Sequence, residues 1–234
     1  MLLDNDILVD AGTGVADLSL TELSLIDHVF LTHSHLDHVA SIPFMVDTVG
    51  GMRDQPLTVW AVPATLEILR SHIFNWSIWP DFSQIPSPDQ PFLRYREIQV
   101  GDTVELKKRK LTALPANHVV PAVGYHLDSG KGSLVFTGDT TTNDPLWAVV
   151  NKISNLKYLI IETALSDRDR ELARMSKHLC PSLLAAELAK LKLAPEIYIT
   201  HLKPRESELI MQQIAVTVKE RRLRMLQNNH VFEF

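Results

Sequence analysis

Three imidazoles and a carboxylate fall within six residues at His33-Ser34-His35-Leu36-Asp37-His38, just past a short apolar run. In an extended backbone alternate side chains point the same way, so His33 and His35 aim to one side. A turn immediately after them would let Asp37 and His38 serve a second ion, at the roughly 3.5–4 Å separation typical of paired metals. Such a pair lowers the pKa of a bridging water toward about 7 and binds the oxygen of an electrophile, which is the chemistry of hydrolysis.

Three more residues of ligand type share one placement. His118 follows the apolar run Lys110 to Leu114, Asp139 follows Ser133 to Thr137 within Gly138-Asp139-Thr140, and His201 follows Glu196 to Thr200. Residues that close a strand in a layered α/β protein collect on one rim, where sites form. Imidazole and carboxylate together suit two divalent ions, zinc first, with manganese or iron as alternatives. The single cysteine, Cys180, reads as a buried packing residue at a helix start rather than a ligand.

These residues need elements to carry them. Short runs rich in Val, Ile, Leu and Phe predict strands over Ile7 to Val9, His28 to Thr32, Leu57 to Val62, Lys110 to Leu114, Ser133 to Thr137, Lys157 to Ile161 and Glu196 to Thr200. Apolar positions returning every three or four residues predict helices over Pro63 to Phe74, Pro145 to Ile153, Pro181 to Leu191 and about Glu206 to Glu220. Strands are expected to pair first in a β-rich half, Leu57 to Thr137, and then to alternate with helices that cover the sheets from outside. The proline-rich stretch Trp76 to Pro91 is a loop, either a lid or a surface connection whose Trp76 and Trp79 cover core. No internal repeat divides the chain, and a single domain over residues 1–234 is expected.

Composition narrows the partners. A formal charge of −5 spread along the chain implies no general surface for polyanions, and Lys107-Lys108-Arg109-Lys110 reads as a solvated hairpin turn. One cysteine rules out an internal disulfide and fits a reducing compartment. The N-terminus lacks a secretory pattern and no apolar run reaches membrane-spanning length, so the cytoplasm is the expected location and no membrane partner is expected.

The ordered set His33-Ser-His-Leu-Asp-His38, His118, Gly138-Asp139-Thr140 and Thr200-His201 resembles the successive motifs of the metallo-β-lactamase superfamily. The resemblance implies an α+β four-layer αβ/βα sandwich, here without the strand that usually precedes the segment Leu2 to Gly14. That leaves a sheet edge open to another element or to a second copy in a homodimer. It further implies one ion on His33, His35 and His118, a second on Asp37, His38 and His201, and Asp139 bridging both.

Two further segments, Ile161-Glu162-Thr163-Ala164 and Lys177-His178-Leu179-Cys180-Pro181-Ser182, resemble the phosphodiesterase branches of that superfamily, ribonuclease Z and the class II cyclic nucleotide phosphodiesterases. The resemblance makes Asp37, His178 and Glu162 the candidate catalytic groups. His178 would contact phosphate and protonate the leaving ribose oxygen, Glu162 would orient it, and the helix that follows would favour an anion. The alternative role for His178 is a cap on that helix. The wording of Leu31 to His38 more closely resembles the class II cyclic nucleotide phosphodiesterases, and with no basic excess in the chain that resemblance implies a small phosphodiester such as a 3′,5′-cyclic nucleotide over nucleic acid. A ribonuclease Z-like activity on transfer RNA, another hydrolase of the fold, a di-iron redox protein and a non-catalytic metal-binding protein remain as alternatives.

Overall fold

Every apolar run expected as a strand forms one in a computed structural model describing residues 1–234, and the strands divide between two units, Met1–Gln99 and Val100–Phe234. Each unit has its own sheet and its own buried core.

Unit 1 contains, in chain order, β1 (Leu2–Leu3), β2 (Ile7–Val9), α1 (Leu20–Leu25), β3 (His28–Phe30), α2 (Leu36–Val39), α3 (Ile42–Val49), β4 (Leu57–Ala61), α4 (Pro63–His72), the small hairpin β5 (Pro86–Ser87) with β6 (Gln90–Pro91), and β7 (Leu93–Glu97). Its sheet runs β1-β2-β3-β4-β7, antiparallel only at β1. Val29, Leu31, Val59 and Ala61 share a core with Ile42, Met45 and Val46 of α3 and with Leu66 and Leu69 of α4. Ser19 and Glu22 close a capping box on α1, and α4 opens on Pro63 in its first turn, where a missing N–H costs nothing.

Unit 2 continues with β8 (Thr103–Leu106), β9 (Arg109–Pro115), β10 (Val123–Asp128), β11 (Ser133–Phe136), α5 (Asp144–Val150), β12 (Leu156–Glu162), α6 (Arg170–Met175), α7 (Pro181–Leu188), β13 (Glu196–Thr200), α8 (Ser207–Thr217) and β14 (Leu223–Met225). The seven strands lie in the order β14-β13-β12-β11-β10-β9-β8. Neighbours from β8 to β11 are antiparallel, and those from β11 to β14 are parallel. Val135, Leu159, Ile161, Ile197 and Ile199 share one core with Trp147 of α5, Leu184 of α7 and Ile210 of α8.

Several expectations need correction. The strand Leu57–Ala61 does not open a β-rich half that runs on to Thr137: it belongs to the first sheet, in parallel with β3 and β7, because helices precede and follow it and bring the chain back in the same direction. At the edge beside Ile7–Val9 the outcome is one of those expected, another element of the chain: Leu2–Leu3 pairs there, with Leu3 opposite Ile7. Strands β1, β5, β6, β7, β8, β10 and β14 and helices α1, α2, α3 and α6 are absent from the sequence reading, and β5 with β6 forms a small hairpin within the stretch read as a loop. The α3 helix buries Ile42, Met45, Val46 and Val49, the i, i+3, i+4, i+7 spacing of an amphipathic helix, a signal present in the sequence that the expectations above passed over. As expected, Lys107 and Lys108 make the tight turn joining β8 to β9. In the segment after α4, Trp79 packs on the unit 1 core while Trp76 stays 64% exposed, so only one of the two indoles covers core. No helix is long and apolar enough to cross a membrane.

Candidate functional site

In unit 1 the candidate ligands hang from the turn that ends β3. Backbone at His35 is extended and then enters α2 at Leu36, so the expected change from strand to turn falls between His35 and Asp37. His33 Nε2 and His35 Nδ1 come within 3.0 Å of each other, the same-side placement expected of alternate residues. His38 is buried in α2, with its Nε2 3.6 Å from Asp37 Oδ2.

A residue that sequence reasoning missed sets the protonation of this turn. Asp10, just past β2 and in the left-handed region (φ 58°), accepts from the Thr32 amide at 2.7 Å and from the Thr32 hydroxyl at 2.9 Å. A carboxylate only accepts, so the hydroxyl's single proton is committed there, and its lone pair takes the proton of His33 Nδ1 at 3.0 Å. His38 Nδ1 donates to Asp10 Oδ2 at 2.7 Å. Both rings are thereby fixed as Nδ1–H tautomers that present an Nε2 lone pair, the form in which imidazole binds a cation. Two such acceptors, His38 Nε2 and Asp37 Oδ2, then lie side by side and repel unless a cation or proton joins them.

The loop after Asp10 holds α2 and the residues after it through the loop's own backbone groups. Ala11 N–H donates to His38 O at 2.7 Å, Ser41 N–H to Ala11 O at 2.9 Å, and the Ser41 hydroxyl to Gly12 O at 2.8 Å. A Cβ on Gly12 would lie 1.9 Å from the Asp37 carbonyl oxygen, so only glycine fits against this turn.

Unit 2 gathers its candidates from separate strand ends. Asp139, His178 and His201 place one ligand atom each within 4.8 Å of the others, with His201 Nε2 3.3 Å from Asp139 Oδ2. The His178 ring stacks on His201, 5.2 Å between centroids, and tilts against His118 at 4.9 Å. Gly138, Lys177 and His201 all have positive φ (60°, 53° and 60°), and the two non-glycine cases mark backbone held in a rare conformation, as is common at functional sites.

Glu162, at the end of β12, is wholly buried. Its Oε1 accepts from His178 Nδ1 at 2.8 Å and Thr140 N at 3.1 Å, and its Oε2 from Ala164 N at 3.1 Å and Leu179 N at 3.2 Å. Burial pushes this carboxyl above its ordinary range, opposed by the His178 bond. Three of the four donors are backbone N–H groups that cannot reverse, so the carboxylate form fits the pocket and the shared proton belongs on His178 Nδ1. Burial would depress His178, but the bond and charge of Glu162, aided by Asp139, hold it above the usual histidine value. His178 Nε2 is then the atom left to face a ligand.

Lys177, quoted above only as the start of a segment, has a role that its sequence position did not signal. Its carbonyl accepts from His118 Nδ1 at 3.2 Å while its ammonium donates to the His118 carbonyl at 3.0 Å. This reciprocal pair fixes the His118 tautomer with Nε2 as the ligand atom and ties the His118 loop to the His178 loop. The anion expected at the start of α7 is also already in place. Asp167 Oδ1 accepts from the Ser182 amide at 2.9 Å and hydroxyl at 2.8 Å, so that helix end is satisfied within the protein. His178, bound to Glu162, is not the cap. Cys180 is buried, as expected of a packing residue.

The donor set, five imidazoles and two carboxylates, fits divalent metal: the partners of His33, His38 and His118 leave an Nε2 lone pair, and His201 lies beside the Asp139 carboxylate. His33, His35, Asp37 and His38 could hold metal in unit 1, and His118, Asp139 and His201 in unit 2.

A family model described as Beta-lactamase superfamily domain matches residues 5–215. The chain is 26% identical over 203 residues to "Probable 3′,5′-cyclic-nucleotide phosphodiesterase" of Yersinia pestis, covering 76% of this chain and 57% of that protein. It is 27% identical over 128 residues to ribonuclease Z of Methanopyrus kandleri, covering 53% and 40%. The chain thus spans about half the length of the curated relatives it matches. Among solved structures, the metallo-beta-lactamase fold protein YhfI from Bacillus subtilis gives a TM-score of 0.77 at 19% identity, covering 99% of this chain and 89% of that one.

Proposed function

The chain belongs to the β-lactamase superfamily and has the metallo-β-lactamase fold, an α+β sandwich, and on that footing we propose that it is a two-metal phosphodiesterase. The observation that carries this reading is the buried Glu162–His178 pair set beside Asp139 and His201. A metal centre alone serves many hydrolyses, but an imidazolium whose Nδ1–H is held by a carboxylate and whose second proton sits on an outward-facing Nε2 adds what a phosphodiester needs, and the raised His178 value favours that form. It offers a positive partner for the phosphate and a proton for the departing oxygen.

The ligand assignment follows the order of the motifs: His33, His35 and His118 on one ion, Asp37, His38 and His201 on the other, Asp139 shared. Two divalent ions, zinc first, would supply hydroxide at neutral pH and bind phosphate oxygen. The protein's own residues do the rest. Asp10 and Lys177 fix imidazole tautomers, Glu162 keeps His178 upright, and His178 delivers a proton through Nε2 to the leaving ribose oxygen.

For substrate, a 3′,5′-cyclic nucleotide opened to a 5′-nucleotide is the favoured choice, supported by the wording of Leu31 to His38 and by a relative named for that activity. A relative named ribonuclease Z supports the second reading, a transfer-RNA processing activity. Cyclic AMP, cyclic GMP and a transfer-RNA precursor assayed side by side on metal-loaded protein separate the two. Turnover of the cyclic nucleotides alone is expected, and cleavage of the RNA alone would replace this reading with the second. Metal analysis should find close to two ions per chain. A metal-free chain of full activity would remove both readings.

A further inference from the structure

Unit 1 is poor in cations: residues 1–99 contain four arginines and no lysine against thirteen aspartates and glutamates. Arg53 pairs with Asp27 at 2.6 Å, and Arg70 lies 4.5 Å above the Tyr95 ring. The other two, Arg94 and Arg96, are exposed and form no hydrogen bond or ion pair despite the excess of carboxylates. Both lie on β7, two residues apart, and so point to the same face of the sheet.

The register shows what stands beside them. His28, Thr58 and Arg94 form one row across β3, β4 and β7, and Phe30, Trp60 and Arg96 the next. With Glu97, the residues His28, Thr58, Trp60, Arg94 and Arg96 line a groove of about 560 Å³. Trp60 Nε1 donates to His28 Nδ1 at 3.3 Å, which puts the proton of the neutral imidazole on Nε2. The Trp60 ring is fixed in turn by stacking on Phe30, 5.5 Å between centroids with planes 2° apart. Apart from Glu97 the polar lining offers donors: two guanidiniums, an imidazole N–H and a hydroxyl, beside an indole wall.

We propose that this groove is a second ligand site, which takes the phosphate of a nucleotide-type monoester on Arg94 and Arg96 with Trp60 as its apolar wall. Two unpaired like charges about 7 Å apart on one strand face repel, and a dianion between them turns that repulsion into charge-assisted hydrogen bonds. The groove lies apart from the candidate ligand turn, since His33 is five steps along the chain from His28, roughly 16 Å at full extension. The phosphate monoester released by a phosphodiesterase is of the same chemical class, but the inference stands on the groove and does not require that reading. Charges on an edge strand also deter pairing with other chains. That role needs no cation, and in a unit so rich in carboxylates acidic side chains would have served it.

The test is calorimetric titration of metal-loaded protein with AMP, compared with the Arg94→Gln/Arg96→Gln variant at low ionic strength. Both side chains are exposed, so the variant should keep the wild-type Tm and unchanged turnover of bis-p-nitrophenyl phosphate. The expected result is saturable AMP binding weakened at least about tenfold in the variant, with inorganic phosphate following the same order. A short RNA bound more tightly than AMP, and lost equally in the variant, would support the site and name a polynucleotide as its source. Tighter AMP would name a free nucleotide. Wild-type protein that shows no saturable binding, or a variant that binds AMP as well as wild type while self-associating, would overturn the proposal and leave edge protection.

Discussion

The two units make their candidate ligands by opposite routes. Unit 1 places His33, His35, Asp37 and His38 on one turn, so the chain's local geometry brings them together once β3 ends and α2 begins. Unit 2 assembles His118, Asp139, Glu162, His178 and His201 from the ends of β9, β11, β12 and β13 and from the approach to α7, and nothing short of the folded sheet juxtaposes them. A local set is cheap in chain entropy, whereas a gathered set must close long loops first. Support differs accordingly: a single carboxylate, Asp10, organises the local set, while the gathered one relies on a buried hub, Glu162, with donors from three chain segments.

Substitutions at the two hubs should break the contrast most sharply. His178→Ala is expected to lower kcat by about 10²–10⁴ with bound metal retained, because it removes the proposed proton donor and none of the proposed ligands. Steady-state kinetics with metal analysis checks this, and an unchanged kcat would reduce His178 to a structural residue. Glu162→Gln turns an amide N–H₂ toward backbone donors and leaves two of them unmatched. A stability loss of about 1–3 kcal/mol by denaturant titration is expected, with kcat also reduced.

Gly12→Ala should damage the local set through backbone rather than ligand chemistry. Its Cβ would fall 1.9 Å from Asp37 O, so the strap must move, at about 1–3 kcal/mol by denaturant titration and with weaker metal retention. Milder effects are expected from the residues that fix tautomers. Asp10→Asn and Lys177→Met should each weaken metal affinity by about 10–100-fold in competition with a chelator, with little change in the Tm of metal-free protein. Equal losses of Tm and affinity would mark both as merely structural.

The smallest effect concerns the α7 cap. Burial would raise the Asp167 carboxyl, but the Ser182 amide leads a set of bonds, with Arg170 nearby, that holds it below the ordinary range. A depressed folded value contributes stability above the unfolded pKa of about 3.9 and loses it as pH falls through the folded value. Asp167→Ala should therefore cost about 1 kcal/mol near neutral pH, a difference that shrinks in acid when unfolding is followed against pH.

Amino-acid order alone determined the candidate ligand types, their motif order and the strands that carry them, since a strand's apolar run and the polar residue closing it are neighbours in the chain. It also marked Glu162 and His178. It did not disclose Asp10, Lys177 or Asp167, each an ordinary charged residue whose role exists only through partners 22, 59 and 15 positions away. Nor did it show that β4 runs parallel in the first sheet, or that the start of α7 is already satisfied. Which lone pairs and protons meet is a matter of distance in space, and only the tertiary structure fixes that distance.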